Sequence, residues 1–203
     1  MQFNFLTLLA MTGVTLAASP IGGGSWKPVT SSFDIQTCAG GKVNGNTFTI
    51  PSKPNGSTSG AGCSNGHLRA ERRYRNNYTG GVHQFAGTFT VTSKGGDKIA
   101  IQQTFDEDSG PYFILAIKGS DLYSVEGGAT IATGVAGVGK TVKINTIHDT
   151  ANNKFTVYVN GVAKYTDNEA PSGNFYNKLG CYTTNSGTGP ATITWTDVAF
   201  WTQ

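Results

Sequence analysis

Three short segments of the chain carry residue types that could bind an anion and move a proton. In the first, residues 67–75, a β-strand would place five ionisable side chains on one face: His67, Arg69, Glu71, Arg73 and Arg75. Such a face is unsuited to a hydrophobic core, and the planar guanidinium of arginine grips a carboxylate in two places. We expect an anion-binding stripe in which Glu71 orients the guanidinium groups. A solvated edge face is the alternative.

In the second segment, residues 176–182, the apolar Leu179 and Cys181 alternate with residues that would face outward, namely Tyr176, Lys178, Gly180 and Tyr182. Gly180 is expected to leave space beside Tyr182 for a ligand. The third segment, residues 99–105, carries Gln102 and Gln103, whose amides can donate hydrogen bonds to an anion. The sequence does not decide which of the two glutamines faces the same way as the tyrosines.

Together the three segments resemble the alginate-lyase type of polysaccharide lyase (family 7) and the related glucuronan lyases (family 20). The family motif R-x-E-x-R is matched by Arg69, Glu71 and Arg73, and the motif Y-x-K-x-G-x-Y by Tyr176, Lys178, Gly180 and Tyr182. The middle motif, Q-[IV]-H, is matched at Gln103, with Phe105 where the histidine stands in the alginate lyases. The resemblance covers the chain from about Gly66 to its C-terminus.

The resemblance implies a β-jelly roll whose groove cleaves uronate polysaccharides by β-elimination. It implies that Tyr182 transfers the proton, while Gln103 and a histidine neutralise the substrate carboxylate. The implied substrate-binding residues are Arg69, Glu71, Arg73, Tyr176 and Lys178. Because tyrosine ordinarily titrates near pH 10, we expect the arginines to lower the pKa of Tyr182 by favouring its phenolate.

The histidine of the glucuronan-lyase type comes from an earlier strand than the glutamine. His67 shares the predicted face of Arg69 and Arg73, so it is the first candidate for that imidazole. His83 is the second candidate for the same imidazole, and His148 is predicted to lie in a surface turn.

The elements that must position these residues are short strands. Period-two alternation predicts about a dozen of them and no long helix, with Asn160-Gly161 as a two-residue hairpin turn. The predicted fold class is therefore all-β: an antiparallel β-sandwich of the jelly-roll, concanavalin-like kind, with a concave sheet face free for a ligand.

Composition and the N-terminus set the class of protein. The 203 residues are 37% hydrophobic and 13% charged, which is typical of one folded domain and unlike a disordered chain. Residues 1–18 form an uncharged apolar run ending in small residues, as in a secretory signal peptide, which leaves residues 19–203 as the predicted domain. We expect a secreted, extracellular protein.

Secretion into an oxidising compartment favours a disulfide among the three cysteines. We expect Cys38–Cys63, with Cys181 buried and free, although three pairings are open. Asn55 and Asn77 begin sequons for N-glycosylation. No cofactor is expected: the three histidines are scattered, and the acidic residues 106–108, which could hold Ca²⁺, are typical of a solvated turn.

Two other function classes compete with a lyase. A glycoside hydrolase needs two carboxylates across the scissile bond, and Glu71 among arginines would stay ionised and be a poor general acid. A non-catalytic carbohydrate-binding or host-interaction protein would keep the groove without the motif histidine. We expect an anionic polysaccharide as partner and a monomeric protein. Nucleic acid is not expected, since the net charge of +3 is small and dispersed, and no membrane is expected, since no stretch after the leader is apolar enough to cross one. The uronate, and cleavage within the polymer or from an end, stay open.

Overall fold

A computed structural model describes residues 18–60, 62–63, 65–184 and 187–203, so the predicted signal peptide, apart from Ala18, lies outside the described residues. The described chain forms strands β1 (Lys27–Val29), β2 (Phe33–Cys38), β3 (Lys42–Asn44), β4 (Thr47–Ile50), β5 (Arg69–Tyr74), β6 (Val82–Lys94), β7 (Lys98–Asp106), β8 (Gly110–Lys118), β9 (Asp121–Ser124), β10 (Thr130–Ala132), β11 (Thr141–Asp149), β12 (Lys154–Val159), β13 (Val162–Asp167), β14 (Phe175–Tyr182) and β15 (Ala191–Thr202). In these ranges no helix is long and apolar enough to span a membrane.

The strands form two antiparallel sheets that stack as a sandwich. The first has the order β13-β12-β11-β6-β15-β4-β3, with β1 paired to β15. The second has the order β10-β9-β8-β7-β14-β5-β2 and will be called the groove sheet, because the candidate site lies on it. The predicted all-β antiparallel sandwich is confirmed.

Alternating side chains explain why the sheets stack. Large aromatic residues such as Phe48, Phe89 and Trp195 line the inner face of the first sheet and are almost fully buried. Leu179 and Cys181 of β14 are fully buried in the same hydrophobic core, as their alternation predicts. The odd-numbered side chains of β14 therefore hold the sandwich together and the even-numbered ones are left for the outer face.

Two local predictions are confirmed. Asn160 and Gly161 both have positive φ, 50° and 81°, which is the requirement of a type I′ hairpin turn between β12 and β13. Cys38 and Cys63 form the disulfide, and Cys181 is free and buried.

One other local prediction is wrong. His148 does not lie in a surface turn: it belongs to β11, is 1% exposed and packs among aromatic rings that include Tyr112 and Phe175. Strands β1 and β3 have three residues each, which is too few to display an alternation in the sequence.

Candidate active site

The three chemistry-bearing segments meet because β14 lies between β7 and β5 in the groove sheet. Lys178 of β14 pairs with Gln103 on one side and with Arg73 on the other, and Tyr182 pairs with Arg69. Side chains of paired residues on one face are close neighbours. Segments distant in sequence thus form one patch on the outer face of the sheet.

The patch forms the floor of a groove of about 470 Å³. Its lining includes three cationic side chains, Arg69, Lys98 and Lys178, and one acidic side chain, Glu126. The excess of positive charge suits an anionic ligand.

Glu71 is the central hydrogen-bond acceptor under the groove. Its carboxylate is 1% exposed and accepts a hydrogen bond from Nη1 of Arg69 at 2.7 Å and another from Nε2 of Gln103 at 2.5 Å. The prediction that Glu71 orients a guanidinium is therefore confirmed for Arg69. A buried carboxylate with these two hydrogen bonds holds the side chains of Arg69 and Gln103 in place.

Gln103, and not Gln102, faces the groove. Gln103 lines the groove, whereas Gln102 is fully buried opposite Leu115 and Leu179. Irregularities in the register of β7 against β8 and β14 lie on either side of these glutamines, so sequence spacing alone could not settle which one faces outward.

Tyr182 presents its hydroxyl at the end of the groove nearest Arg69. Its ring packs on Ala100 and Ile114 and lies 4.3 Å from the guanidinium carbon of Arg69. Nδ2 of Asn65 donates to the phenolic oxygen at 2.7 Å, and Nδ1 of His67 lies 3.1 Å from the same oxygen.

The hydrogen bonds also assign the tautomer of His67. Nδ1 lies 2.9 Å from the backbone carbonyl oxygen of Thr183, which can only accept, so Nδ1 carries the hydrogen. The phenolic oxygen of Tyr182 therefore accepts the Asn65 N–H, whereas the single hydrogen on Nδ1 of His67 is directed at Thr183 over the shorter distance and is at most shared with Tyr182. The phenolic hydrogen must point elsewhere.

Arg69 lowers the pKa of Tyr182 as expected, but the net shift is upward. Burial raises the pKa above its ordinary value, and this effect exceeds the opposing effects of the Arg69 charge and the Asn65 hydrogen bond. Tyr182 is consequently protonated near neutral pH in the free protein.

His67 reaches the site from an unexpected direction. It precedes β5 and is not part of the strand, yet its ring stacks beside Tyr182 with 5.7 Å between centroids. The sequence placed His67 with Gln103 around a substrate carboxylate, whereas the described contacts of its ring are with Tyr182 and Thr183. The second candidate, His83, stacks on Tyr78, and the hydroxyl of Tyr78 is hydrogen-bonded to the buried His148. Neither His83 nor His148 lines the groove.

At the other end of the patch, cations alternate with aromatic rings. The guanidinium carbon of Arg73 lies 4.1 Å from the centroid of Tyr176, and Nζ of Lys178 lies 4.7 Å from that of Phe105. The two rings stack with 5.2 Å between centroids. Burial lowers the pKa of Lys178, and the Glu71 carboxylate opposes that shift. Phe105 thus supplies an apolar surface where the resemblance calls for an imidazole.

The charged stripe stops at Arg75. This side chain is exposed and pairs with Asp34 at 3.0 Å on the neighbouring strand. Only the first part of the predicted stripe belongs to the groove.

Gly180 has a different role from the one expected. A Cβ on Gly180 would lie 2.1 Å from the backbone oxygen of Ala70, and its φ of 145° is one that other residues rarely adopt. Glycine is therefore required by the close approach of β5 and by the positive φ, and not by a ligand.

The remaining predicted sites lie outside the groove. Asp106 closes a turn by accepting hydrogen bonds from the Ser109 hydroxyl and the Asn174 backbone. Across the described ranges, no group of three or more His, Cys, Asp or Glu side chains is arranged to hold a metal ion. Asn55 and Asn77 are exposed, and their glycosylation stays a prediction.

Asn65 is the site residue that sequence reasoning missed. It belongs to none of the three segments and lies in an irregular connection between β4 and β5, where nothing but its nearness to Cys63 in sequence marks it.

Comparison with protein-family models finds no match, and comparison with curated proteins also finds none. Solved structures do match. An alginate lyase from Corynebacterium sp. superposes with a TM-score of 0.59 at 20% sequence identity, over 76% of this chain and 77% of that one. The fold is that of the alginate lyases.

Two further structures extend the comparison. A family 7 alginate lyase matches with a TM-score of 0.56 at 19% identity over 78% of each chain, and a family 18 polysaccharide lyase with 0.55 at 17% identity over 83% of this chain and 93% of that one. Other matching alginate lyases were solved with dimannuronate or with a substrate written GGMG. The alginate-lyase fold therefore recurs in proteins of low sequence identity to this chain, and the groove sheet is part of that fold.

Proposed function

We propose that this protein is a secreted polysaccharide lyase that cleaves an anionic uronate polysaccharide, of the alginate or glucuronan kind, by β-elimination. The observation that carries the proposal is the hydroxyl of Tyr182, held by the Asn65 N–H and bordered by Arg69 in a cationic groove. The alginate-lyase fold and the matched motif residues support it.

The substrate carboxylate would bind where the groove offers hydrogen-bond donors and positive charge. Arg69 and Gln103 are already oriented by Glu71, and Lys178 adds an ammonium group beside them. Donors fixed in advance stabilise the charge that develops on the carboxylate as the proton leaves C5. These three residues would make C5 acidic.

Tyr182 would then move the proton. The phenolate form takes the proton from C5, the C5 electrons form the C4–C5 double bond, and the C4–O4 bond breaks. The hydroxyl so formed gives its proton to O4 of the leaving sugar. The N–H of Asn65 donates to the phenolic oxygen and, together with the charge of Arg69, favours the phenolate that burial disfavours.

This assignment changes the role of His67. The imidazole stacks beside Tyr182 with Nδ1 3.1 Å from the phenolic oxygen, so we propose that it supports the tyrosine and that Arg69, Gln103 and Lys178 neutralise the carboxylate. Glu71 would position this set, while Arg73 and Tyr176 would bind a more distant part of the polymer.

The test is a panel of polymannuronate, polyguluronate and polyglucuronate, followed by absorbance at about 235 nm, where an unsaturated uronate product absorbs. Wild-type protein is expected to produce the absorbing product from at least one polymer. The matched control is Tyr182→Phe, which keeps the ring and removes only the hydroxyl.

A second function is favoured by one observation, the phenyl ring of Phe105 in place of the motif histidine. A protein that binds uronate polymers without cleaving them would keep the cationic groove and an apolar surface for sugar rings. Binding of a polyuronate, measured calorimetrically, with no absorbing product from any polymer would favour this alternative over the lyase.

The extracellular location also belongs to the proposal. The Cys38–Cys63 disulfide supports it, because disulfides persist in oxidising compartments. Detection of the protein, cleaved after about residue 18, in the culture medium would test it.

A further inference from the structure

We propose that Asn65 is a further catalytic residue of this groove: its side-chain amide holds the phenolic oxygen of Tyr182 and stabilises the negative charge that this oxygen carries during elimination. The inference rests on the proposed function in that it takes Tyr182 as the proton-transferring group. Neither the motif matches nor the structural comparisons assign a role to Asn65.

The orientation of the Asn65 amide follows from its two hydrogen bonds. Oδ1 accepts from the backbone N–H of His67 at 3.3 Å, and a backbone N–H can only donate. Oδ1 must therefore face His67, which leaves Nδ2 to donate to Tyr182 at 2.7 Å. The same side chain thus shapes its own turn and contacts the reacting atom.

A covalent link holds Asn65 in this position. Asn65 follows Cys63 by two residues, and Cys63 is bonded to Cys38, the last residue of β2. Cys38 lies opposite Arg69 on β5. The disulfide therefore ties the connection that carries Asn65 to the strand pair that carries Arg69, and the hydrogen bonds to His67 and Tyr182 orient the Asn65 amide within it.

The phenolic oxygen needs this donor because its surroundings disfavour the phenolate. Burial raises the pKa of Tyr182, and the Glu71 carboxylate adds to that shift, while Arg69 and Asn65 oppose it. Charged or titratable groups that act on Tyr182 or share its groove come from every neighbouring element: Arg69 and Glu71 on β5, Lys98 on β7, Lys178 on β14, Glu126 after β9, and His67 before β5. Substitution of Asn65 leaves all of them in place.

The substitution Asn65→Asp separates the two hydrogen bonds. Aspartate keeps an oxygen to accept from the His67 N–H, so the turn is preserved, but it has no N–H for Tyr182 and sets a negative charge beside the phenolic oxygen. Asn65→Ala removes both hydrogen bonds without adding charge. The matched control is Asn55→Ala, an exposed asparagine in the same connection that does not line the groove.

Two measurements test the proposal. The first is kcat and KM against pH on the polyuronate that the wild type cleaves. The second is spectrophotometric titration of the phenolate of Tyr182, isolated from the other seven of the eight tyrosines by subtracting the same variant with Tyr182→Phe. Thermal unfolding of each variant reports whether the fold is intact.

We expect the pKa of Tyr182 to rise in the order wild type, Asn65→Ala, Asn65→Asp, with the alkaline rise of kcat displaced in the same order. Loss of the donor lowers the fraction of phenolate at a fixed pH by about tenfold for each unit by which the pKa of Tyr182 rises, and we expect kcat of Asn65→Asp to fall by that factor with little change in KM. A merely structural role would not produce this graded order. Asn55→Ala should match the wild type.

The outcomes separate this inference from the proposed function. An active wild type whose kcat and phenolate titration are unchanged by Asn65→Asp would overturn the role of Asn65 alone. A wild type that cleaves no polyuronate would overturn the proposed function, and the catalytic role of Asn65 with it.

Discussion

At the scale of single residues, Tyr182 is a tyrosine whose surroundings act on it in opposite directions. Burial keeps the proton on the phenolic oxygen, while the charge of Arg69 and the N–H of Asn65 favour its release. A raised pKa would leave only a minor fraction of phenolate near neutral pH. If the phenolate is the base, this fraction limits the rate.

The first prediction concerns pH and Tyr182. We expect kcat/KM to rise with pH above neutrality by about tenfold per pH unit, up to the raised pKa of Tyr182, because the reactive phenolate form increases by that factor. Tyr182→Phe should bind polymer normally and lose about 10²–10⁴-fold in kcat, the usual range for a positioned acid–base group. The absorbance assay across pH measures both. A Tyr182→Phe variant as active as wild type would exclude the mechanism.

The second prediction concerns the guanidinium of Arg69. Arg69→Lys keeps the charge but loses the planar fork that bonds Glu71 and could grip a carboxylate, so polyuronate binding should weaken by about 1.5–3 kcal/mol. The control is Arg75→Lys, at an exposed arginine outside the groove, which should bind like the wild type. Calorimetric titration measures both affinities. Unchanged affinity in Arg69→Lys would indicate general charge attraction and no specific site, because both substitutions keep the positive charge.

At the scale of elements, the groove depends on the connection between β4 and β5 as much as on its strands. This connection contains no described strand, yet it supplies Asn65 and His67, and the disulfide fixes its end. A covalent restraint is effective there because an irregular segment has few hydrogen bonds of its own to hold it.

The third prediction follows from this arrangement. Replacing Cys38 and Cys63 by serine should lower the free energy of unfolding by about 3 kcal/mol, from the entropy that the cross-link removes from the unfolded chain. It should also lower kcat under conditions where the protein is still folded, since Asn65 and His67 are released from Tyr182. Urea unfolding and the absorbance assay measure the two effects.

The control for the disulfide is a core substitution remote from the groove. Val159→Ala on β12 removes buried side-chain volume from the other sheet and should lower stability while leaving kcat unchanged. If kcat falls in proportion to the free energy of unfolding in both variants, the disulfide only stabilises the fold and has no separate effect on kcat.

At the scale of the whole molecule, a buried imidazole makes folding sensitive to acid. His148 is surrounded by aromatic rings and bonds the hydroxyl of the buried Tyr78, and burial lowers its pKa from 6.5 to about 4. The unfolded chain therefore binds a proton between these pH values and the folded chain does not. The contribution of neutral His148 to the free energy of unfolding is fully present above pH 6.5 and is lost as the pH falls towards 4.

The fourth prediction is the size of this loss of stability at low pH. The free energy of unfolding should fall by about 3 kcal/mol between about pH 7 and about pH 4 through His148. His83, whose pKa burial also lowers, contributes with the same sign. His148→Gln should remove most of the dependence. Urea unfolding at several pH values measures it, and an unchanged slope in His148→Gln would show that other groups cause the loss. Asp97 and Asp106 have lowered pKa values and act mainly below this window.

The sequence determined the features that depend on local order along the chain. Alternation placed Leu179 and Cys181 in the core and Tyr182 on the outer face, and Asn160-Gly161 marked a turn, because both effects act over a few residues. The pairing of Cys38 with Cys63, and the choice of Arg69, Glu71 and Tyr182 as neighbours, came from spacing and motif resemblance. These features are confirmed by the structure.

Only the tertiary structure decided which groups touch Tyr182 and what its burial does. The register between β7 and β14 brings together residues some 75 positions apart, as for Lys178 and Gln103, and bulges in it determine that Gln103 and not Gln102 faces the groove. Asn65 reaches the phenolic oxygen through an irregular connection that has no periodicity to interpret. The pKa values of Tyr182 and His148 depend on burial by many segments at once, and short-range pattern in the sequence carries no information about that sum.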